Sequence, residues 1–322
     1  MYRLAATIGI AALAGAALAE PAIVYSVGGK FDGSFNESAF RGVERWEDTH
    51  SRPVAQIEPQ GVPEMVQALR RFARRGHDPI VAVGFMQAQP VTEVALEFPD
   101  RRFTLIDAEA EGPNIQSVVY REHEGAYLVG VLAAMASESG VIGMVGGMDI
   151  PLIRRFACGY AQGALSVRPD IRVLVTMTGN TPAAWSDPAR GAELARQQIG
   201  QGADVILQAA GGTGIGVLQA AADAGVLGVG TDSNQNALHP GQVLTSLRKR
   251  VDVAVQRAFD AWQPGAVSLG LAEGGVDLIV DDNNAPLISE AMMLAVEAAT
   301  RDIVVGEVIV HDSATAGTCP YL

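Results

Sequence analysis

Residues 22–41 read AIVYSVGGKFDGSFNESAFR, and this stretch predicts the fold. Its apolar, β-branched start ends at a Gly-Gly pair, a polar loop follows, and a helical pattern begins directly after the loop. This order is typical of an open α/β sheet, in which ligands bind beyond the carboxyl ends of the strands. The loop places Asp32, Phe35 and Asn36 at such an end, where a small flat polar molecule could dock. An ordinary turn followed by a helix cap would give the same pattern.

Strand-like and helical patterns alternate along almost the whole chain and fall into two similar halves. Alternation of this kind predicts parallel sheets with helices on both faces, and two halves predict two lobes with a cleft between them. Three short connections are interpreted as hinge crossings. The predicted lobes are residues 20–123 plus 247–279 and residues 124–246 plus 280–322.

The N-terminus has the pattern of an export signal. One arginine precedes an apolar run over residues 4–18, and the run ends in Ala17-Leu18-Ala19. This pattern predicts a signal peptide over residues 1–19. No cysteine follows the run, so we expect a periplasmic protein without a lipid anchor.

The charge balance excludes one class of partner. The formal net charge is −13, whereas proteins that bind phosphate backbones need a basic surface. Nucleic acid is therefore not an expected partner, and neither is an anionic membrane surface.

The cysteine content leaves a question open. The chain has two cysteines, Cys158 and Cys319. In an oxidising compartment they could pair and attach the C-terminal tail to a helix. Two separate thiols fit the sequence equally well.

Patterns typical of catalytic sites are missing. The five histidines are scattered, with no spacing typical of a metal site, and there is no Gly-x-Ser-x-Gly elbow. The glycine-rich segment at 209–216 resembles a dinucleotide fingerprint, but the position three after Gly214 is Val217. With Asp232 about 20 residues beyond the segment, the pattern fits a ribose without a pyrophosphate.

Further polar and aromatic residues follow the predicted strands in both halves. Each of them also has an ordinary structural interpretation, as core, helix cap or solvated charge. These residues are Phe85, Asp107, Trp185 and Lys249.

Several motifs resemble, in order, those of the basic membrane protein family of bacterial solute-binding proteins, whose members include purine nucleoside receptors of ABC transporters. The motifs are DGSFN at 32–36, EGAYLVG at 124–130, GMVGGMDIPLIRRF at 143–156, QGAD at 201–204, AGGTG at 210–214, GTDSNQ at 230–235 and TSLRKR at 245–250. The resemblance covers essentially the whole chain after residue 19. It implies a type I periplasmic-binding-protein fold, with two Rossmann-like lobes, doubly wound parallel sheets and a hinge of three crossings.

The resemblance also implies ligand-binding roles for individual residues. The purine edge is assigned to Asn36 and Asp107, and the two faces of the base to Phe35 and Trp185. The ribose contacts are assigned to Asp232, Lys249 and the backbone of Gly211-Gly212. Asp32 is expected to shape the first loop, and Phe85 completes the predicted set.

We therefore expect a binding protein without catalytic residues, metal or cofactor. It would take a purine nucleoside between its lobes and deliver it, as a monomer, to an ABC transporter permease in the inner membrane. A free purine base or another small solute, such as a sugar or a signalling molecule, is an alternative ligand for the same fold. A nucleoside hydrolase is an alternative from another class, but it would need a nucleophile or a metal-activated water, and no metal cluster is present in the sequence.

Overall fold

The computed structural model describes residues 19–322, so the predicted signal peptide lies almost wholly outside the described residues. Strands and helices alternate throughout. The first half contains β1 (Ala22–Val24), α1 (Phe35–His50), β2 (Ala55–Ile57), α2 (Val62–Arg75), β3 (Ile80–Val83), α3 (Ala88–Glu97), β4 (Phe103–Ile106), β5 (Ile115–Tyr120) and α4 (Glu122–Ala136). Next come β6 (Val141–Met148), α5 (Pro151–Val167), β7 (Arg172–Gly179), α6 (Pro188–Gly200), β8 (Val205–Ala209), α7 (Thr213–Asp223), β9 (Leu227–Asp232) and β10 (Val243–Lys249). The last part contains α8 (Val251–Asp260), β11 (Gly265–Leu269), β12 (Val276–Ile279), α9 (Glu290–Val304) and α10 (Ser313–Ala316).

The strands form two six-stranded sheets. The first has the order β11-β5-β4-β3-β1-β2 and is parallel throughout. The second has the order β12-β10-β9-β8-β6-β7 and is parallel except for β12, which pairs antiparallel with β10. In each sheet the strand order reverses beside the first strand, as in a doubly wound fold. This confirms the predicted α/β class.

The chain crosses between the sheets three times. It passes from β5 to α4, from β10 to α8, and from β11 to β12. Strand β10 reaches Lys249 and strand β12 begins at Val276, and both belong to the second sheet. The predicted lobe boundaries at 247 and 279 therefore fall inside these two strands. Each lobe is built on one of the two sheets, and the exact bounds of the lobes stay a prediction.

Glycines allow α4 and α5 to pack backbone against backbone. A Cβ atom on Gly130 would lie 2.1 Å from the carbonyl oxygen of Tyr160, and one on Gly163 would lie 2.0 Å from that of Tyr127. Real atoms do not approach so closely, so these positions require glycine. The close packing holds the second half of α5 against α4, and the first turns of α5 line the cleft.

Cys158 and Cys319 form a disulfide bond. Cys158 is buried in α5, and Cys319 lies just beyond the short helix α10. The pairing that the sequence left open is therefore present, and it attaches the C-terminal segment to the second lobe.

Candidate ligand pocket

A pocket of about 60 Å³ lies between the two lobes, at the carboxyl ends of strands from both sheets. Its wall contains nine of the ten predicted site residues, and Gly212 is the exception. The structure thus brings together Asp32, Phe35, Asn36, Phe85, Asp107, Trp185, Gly211, Asp232 and Lys249. Their roles as ligand contacts stay predictions.

Asp32 organises the loop between β1 and α1. Its carboxylate accepts hydrogen bonds from the backbone N–H groups of Ser34, Asn36 and Glu37, at 2.8, 3.0 and 3.1 Å. The N–H groups at the start of α1 have no hydrogen-bond partner within the helix, and a negative charge is favourable there. Burial nevertheless raises the pKa of Asp32.

The Asn36 amide is held by the same loop. Its Oδ1 accepts from the backbone N–H of Ser26 at 2.9 Å, and its Nδ2 donates to the carbonyl oxygen of Val27 at 3.2 Å. A purine that hydrogen-bonds to this amide would have to compete with these two backbone groups or bind the amide in addition to them. Asn36 is buried and its direction is fixed before any ligand arrives.

Lys249 is a buried cation at the end of β10, and only 2% of its surface is exposed. Its Nζ atom contacts a carboxylate oxygen of Asp107 and lies 2.8 Å from Oε1 of Glu122. The ammonium also lies 5.2 Å from the ring centre of Phe35. These contacts fix the charge beside the pocket.

Burial and neighbouring charges set the protonation of these groups. Burial raises the pKa of Asp107 to about 6, against the opposing effect of Lys249. Burial likewise raises the pKa of Asp232 to about 6. Burial alone would lower the pKa of Lys249, but the surrounding carboxylates outweigh it and raise this pKa. At neutral pH the pocket therefore contains ionised carboxylates and an ammonium.

Asp107 and Asp232 share an unusual backbone conformation. Each follows or ends a strand, and their φ angles are +82° and +70°. A left-handed conformation at a non-glycine residue costs about 1–3 kcal/mol, and such residues cluster at functional sites. The two residues lie on opposite lobes, so both strand ends present a carboxylate to the cleft.

Two aromatic side chains of the pocket, Phe85 and Trp185, lie close to each other. The ring centres of Phe85 and Trp185 are 6.3 Å apart in an edge-to-face arrangement, with 62° between the planes. Gly147 lies directly behind Trp185, because a Cβ there would lie 2.2 Å from the indole ring. Gly212 lies outside the wall of the pocket, and its Cβ position is 3.2 Å from the carbonyl oxygen of Trp185.

The prediction missed the contribution of α5 and several strand-end positions. Leu152, Ile153 and Phe156, from the first turns of α5, line the pocket. They follow β6 just as the predicted residues follow their strands, so the same reasoning applied to β6 would have found them. The other unpredicted lining residues are Ser26, Val27, Gly84, Ala209 and Thr231.

Comparison with known proteins identifies the family. The sequence model of the Bmp family, described as PnrA-like ABC transporter substrate-binding proteins, matches residues 20–314. The chain belongs to this family. The resemblance seen in the sequence motifs is thereby confirmed.

Similar proteins and a similar solved structure agree with this assignment. An uncharacterized lipoprotein of Pyrococcus horikoshii is 36% identical over 79% of this chain and 67% of its own length. The ABC transporter nucleoside-binding protein BmpA of Lactococcus lactis is 30% identical over 90% of this chain and 88% of its own length. The crystal structure of an ABC transporter solute-binding protein from Aeropyrum pernix has a TM-score of 0.83 and 29% identity, covering 92% of this chain and 96% of that one. The predicted periplasmic-binding-protein fold is therefore confirmed.

The Bmp relatives correct the expected localisation. The Pyrococcus horikoshii relative is named a lipoprotein, and so are relatives in two further Pyrococcus species. These names imply lipid anchoring, so the expectation of a periplasmic protein without a lipid anchor is wrong. Over residues 19–322, no helix is long and apolar enough to cross a membrane.

Proposed function

We propose that this substrate-binding protein takes up purine nucleosides in the cleft between its lobes and delivers them to the permease of an ABC importer. The observation that carries the proposal is the composition of the pocket. It combines aromatic rings with a buried ammonium and with carboxylates from both lobes. A purine nucleoside has the complementary parts, which are a flat base with polar edges and a ribose with a vicinal diol.

The base would be bound by stacking and by its edge. Stacking on an aromatic ring contributes about 1–3 kcal/mol per base, and Phe35 and Trp185 are the proposed stacking partners. An ionised Asp107 accepts hydrogen bonds only, so it favours a purine that presents an N–H group. A sugar has no flat base that could stack on these rings.

The ribose would be bound by Asp232, Lys249 and the backbone of Gly211, all of which line the pocket. A carboxylate can accept hydrogen bonds from both hydroxyls of a diol. Gly211 has a φ angle of +56°, which favours glycine, and it lines the pocket with its backbone alone. A ligand without a diol would leave Oδ1 of the buried Asp232 carboxylate without a hydrogen-bond donor, which is unfavourable.

The size of the pocket supports a receptor that opens and closes. Its volume of about 60 Å³ is well below the ~150 Å³ cavity that accepts a benzene ring. A nucleoside therefore enters only when the lobes part or the side chains move. Hinge closure around a ligand is the motion expected of two lobes joined by three crossings. The nucleoside-binding name of the Lactococcus lactis relative supports the same ligand class.

The test is a binding screen on protein that has been unfolded and refolded to remove any retained ligand. We expect adenosine, guanosine or inosine to raise the melting temperature and to bind in calorimetry. Free purine bases, sugars and amino acids serve as the alternatives. Release of heat by a hexose or an amino acid, with none from any purine compound, would contradict the proposal.

Two variants test the assignment of the site. Asp232→Ala is expected to abolish nucleoside binding while leaving the melting temperature of the protein alone nearly unchanged. Trp185→Ala is expected to weaken all purines alike, since stacking does not distinguish among them. A large drop in the melting temperature of Asp232→Ala would indicate a structural residue instead.

A further inference from the structure

Several direct hydrogen bonds join the loop between β1 and α1 to the second lobe across the cleft, and three of them involve Asp232, Ser233 and Gln235. Ser34 Oγ, in the loop between β1 and α1, donates to Oδ2 of Asp232 at 2.6 Å. Ser233 Oγ donates to the carbonyl oxygen of Ser34 at 2.7 Å, and Gln235 Nε2 donates to that of Gly33 at 2.9 Å. One of the three bonds thus ends on a carboxylate of the pocket, and the other two end on backbone.

The carboxylate of Asp232 depends on the opposite lobe for its orientation. Among residues 19–322, Ser34 is the one hydrogen-bond donor to this carboxylate. The Ser34 hydroxyl also lies 3.2 Å from the carbonyl oxygen of Thr231. A hydroxyl has one hydrogen to donate, and the charged carboxylate at the shorter distance is the stronger acceptor.

Ser34 is itself rigidly placed. It is fully buried, and its backbone N–H donates to Asp32 at 2.8 Å. The hydroxyl therefore meets Asp232 only when the first lobe closes on the second. Its bond occupies Oδ2, while Oδ1 of Asp232 has no hydrogen bond within the described part of the chain and is left for a ligand.

We propose that Ser34 is the positioning residue for ribose recognition, because its hydroxyl orients the Asp232 carboxylate from across the cleft once the lobes close. The inference rests on the proposed function and adds a specificity element to it. The diol would be gripped by a site that neither lobe completes alone. A nucleoside that binds the second lobe of the open protein gains its full ribose contact only on closure.

The charged groups that face Asp232 also affect its pKa, and therefore the pH dependence that the experiment measures. They lie on four elements packed around the pocket, namely Lys249 on β10, Asp32 before α1, Glu122 at the start of α4 and Asp107 after β4. None of them changes in the variants below. Removal of the Ser34 hydroxyl takes a hydrogen bond from the ionised form of Asp232, so the pKa of this carboxyl rises further.

The experiment compares two serine variants, Ser34→Ala and Ser233→Ala. Both lose one hydrogen bond across the cleft, but only the first loses the donor to Asp232. The ligands are adenosine, guanosine and inosine with their 2′,3′-dideoxy counterparts, titrated calorimetrically at several pH values. Ser34→Ala is expected to bind the ribonucleosides about tenfold more weakly and the dideoxynucleosides within about twofold of wild type. Its loss of ribonucleoside affinity on acidification should begin at a higher pH than in wild type or Ser233→Ala.

Other outcomes overturn the inference. Ser233→Ala is expected to weaken ribonucleosides and dideoxynucleosides equally. If Ser34→Ala does the same, Ser34 is only a contact that favours closure of the lobes. Loss of all binding in Ser34→Ala, with Ser233→Ala unaffected, would assign Ser34 a structural role. Failure of the wild type to bind any purine compound would overturn the proposed function as well.

Discussion

Lys249 and Glu122 form a buried ion pair at the hinge, with the ammonium nitrogen 2.8 Å from Oε1 of the carboxylate. Glu122 is fully buried and does not line the pocket. On its other side it meets the Arg155 guanidinium at 3.0 Å. A continuous series of alternating charges therefore runs from the pocket to the C-terminal segment, through Asp107, Lys249, Glu122, Arg155 and Asp312.

The first prediction concerns the stability of this charge series. Glu122→Gln keeps the shape of the side chain but leaves Lys249 and Arg155 with one carboxylate fewer. Loss of one partner from a buried ion pair is strongly destabilising, so we expect the free energy of unfolding to fall by about 3 kcal/mol. Chemical denaturation measures it.

Glu273→Gln is the matched control. Glu273 pairs with Arg121 at 2.5 Å but is 42% exposed. An exposed ion pair contributes about 1 kcal/mol or less, so this variant should unfold almost as wild type does. If the free energy of unfolding falls equally in the two variants, burial does not increase the contribution of the Glu122 ion pairs to stability.

The sequence was sufficient for most of the fold, and nine of the ten predicted site residues lie in the pocket wall, although eight further lining residues were not predicted. The fold was predictable because β-branched runs alternate with helical periods, and because ligands collect at strand ends. The helical pattern near residues 285–300 predicts a helix there, and the helix of the structure begins at Glu290. Pro286 lies in a separate 3-10 turn, and the Ser289 side chain caps the helix by accepting from the N–H of Met292.

The cross-cleft contacts could not be predicted. Ser34 and Asp232 are 198 residues apart, and no local pattern signals that a hydroxyl on one lobe meets a carboxylate on the other. The hydrogen bonds between the Asn36 amide and the backbone of its own loop could not be predicted for a similar reason. An amide suits a ligand and a backbone equally well, and only the path of the loop decides between them.

The second prediction is that nucleoside affinity depends on pH. Burial raises the pKa of both Asp107 and Asp232 to about 6. Ligand binding requires the ionised forms, so affinity should be constant above about pH 7. It should then fall about tenfold per pH unit below pH 6 for each carboxylate required. Calorimetry between pH 7.5 and pH 4.5 measures this, and a flat profile would contradict it.

Acidification should have opposite effects on nucleoside binding and on folding stability: protonation of Asp107 and Asp232 weakens binding, but it stabilises the folded protein. Their pKa values are higher in the folded protein than in the unfolded chain, so the folded protein binds more protons between about pH 4 and pH 6. Their contribution to stability therefore increases as the pH falls through 6. In Asp232→Asn one of the two groups no longer titrates, and the variant should show a weaker dependence over this range.

The third prediction concerns the disulfide between Cys158 and Cys319. It closes a loop with a sequence separation of 161 residues. Loss of a disulfide that closes a long loop costs about 2–5 kcal/mol. Cys319→Ser should therefore unfold at a lower denaturant concentration than wild type. A reducing agent should shift the wild type to the midpoint of the variant and leave the variant unchanged. A midpoint of the wild type that does not respond to reduction would show that the bond adds no stability.

The fourth prediction concerns Gly147, where a substitution would displace the side chain of Trp185, the proposed stacking partner of the base, without changing Trp185 itself. A Cβ on Gly147 would lie 2.2 Å from the ring of Trp185, so Gly147→Ala must displace the indole. If Trp185 stacks on the base, adenosine, guanosine and inosine should all bind more weakly by a similar factor, on the order of tenfold for about 1–3 kcal/mol of stacking. Gly179→Ala is the control, because its Cβ would meet only the side chain of Ala184 at 3.9 Å, an ordinary van der Waals contact. Near-wild-type affinity in Gly147→Ala would exclude Trp185 as a face of the base site, whereas a loss confined to one purine would make it an edge contact.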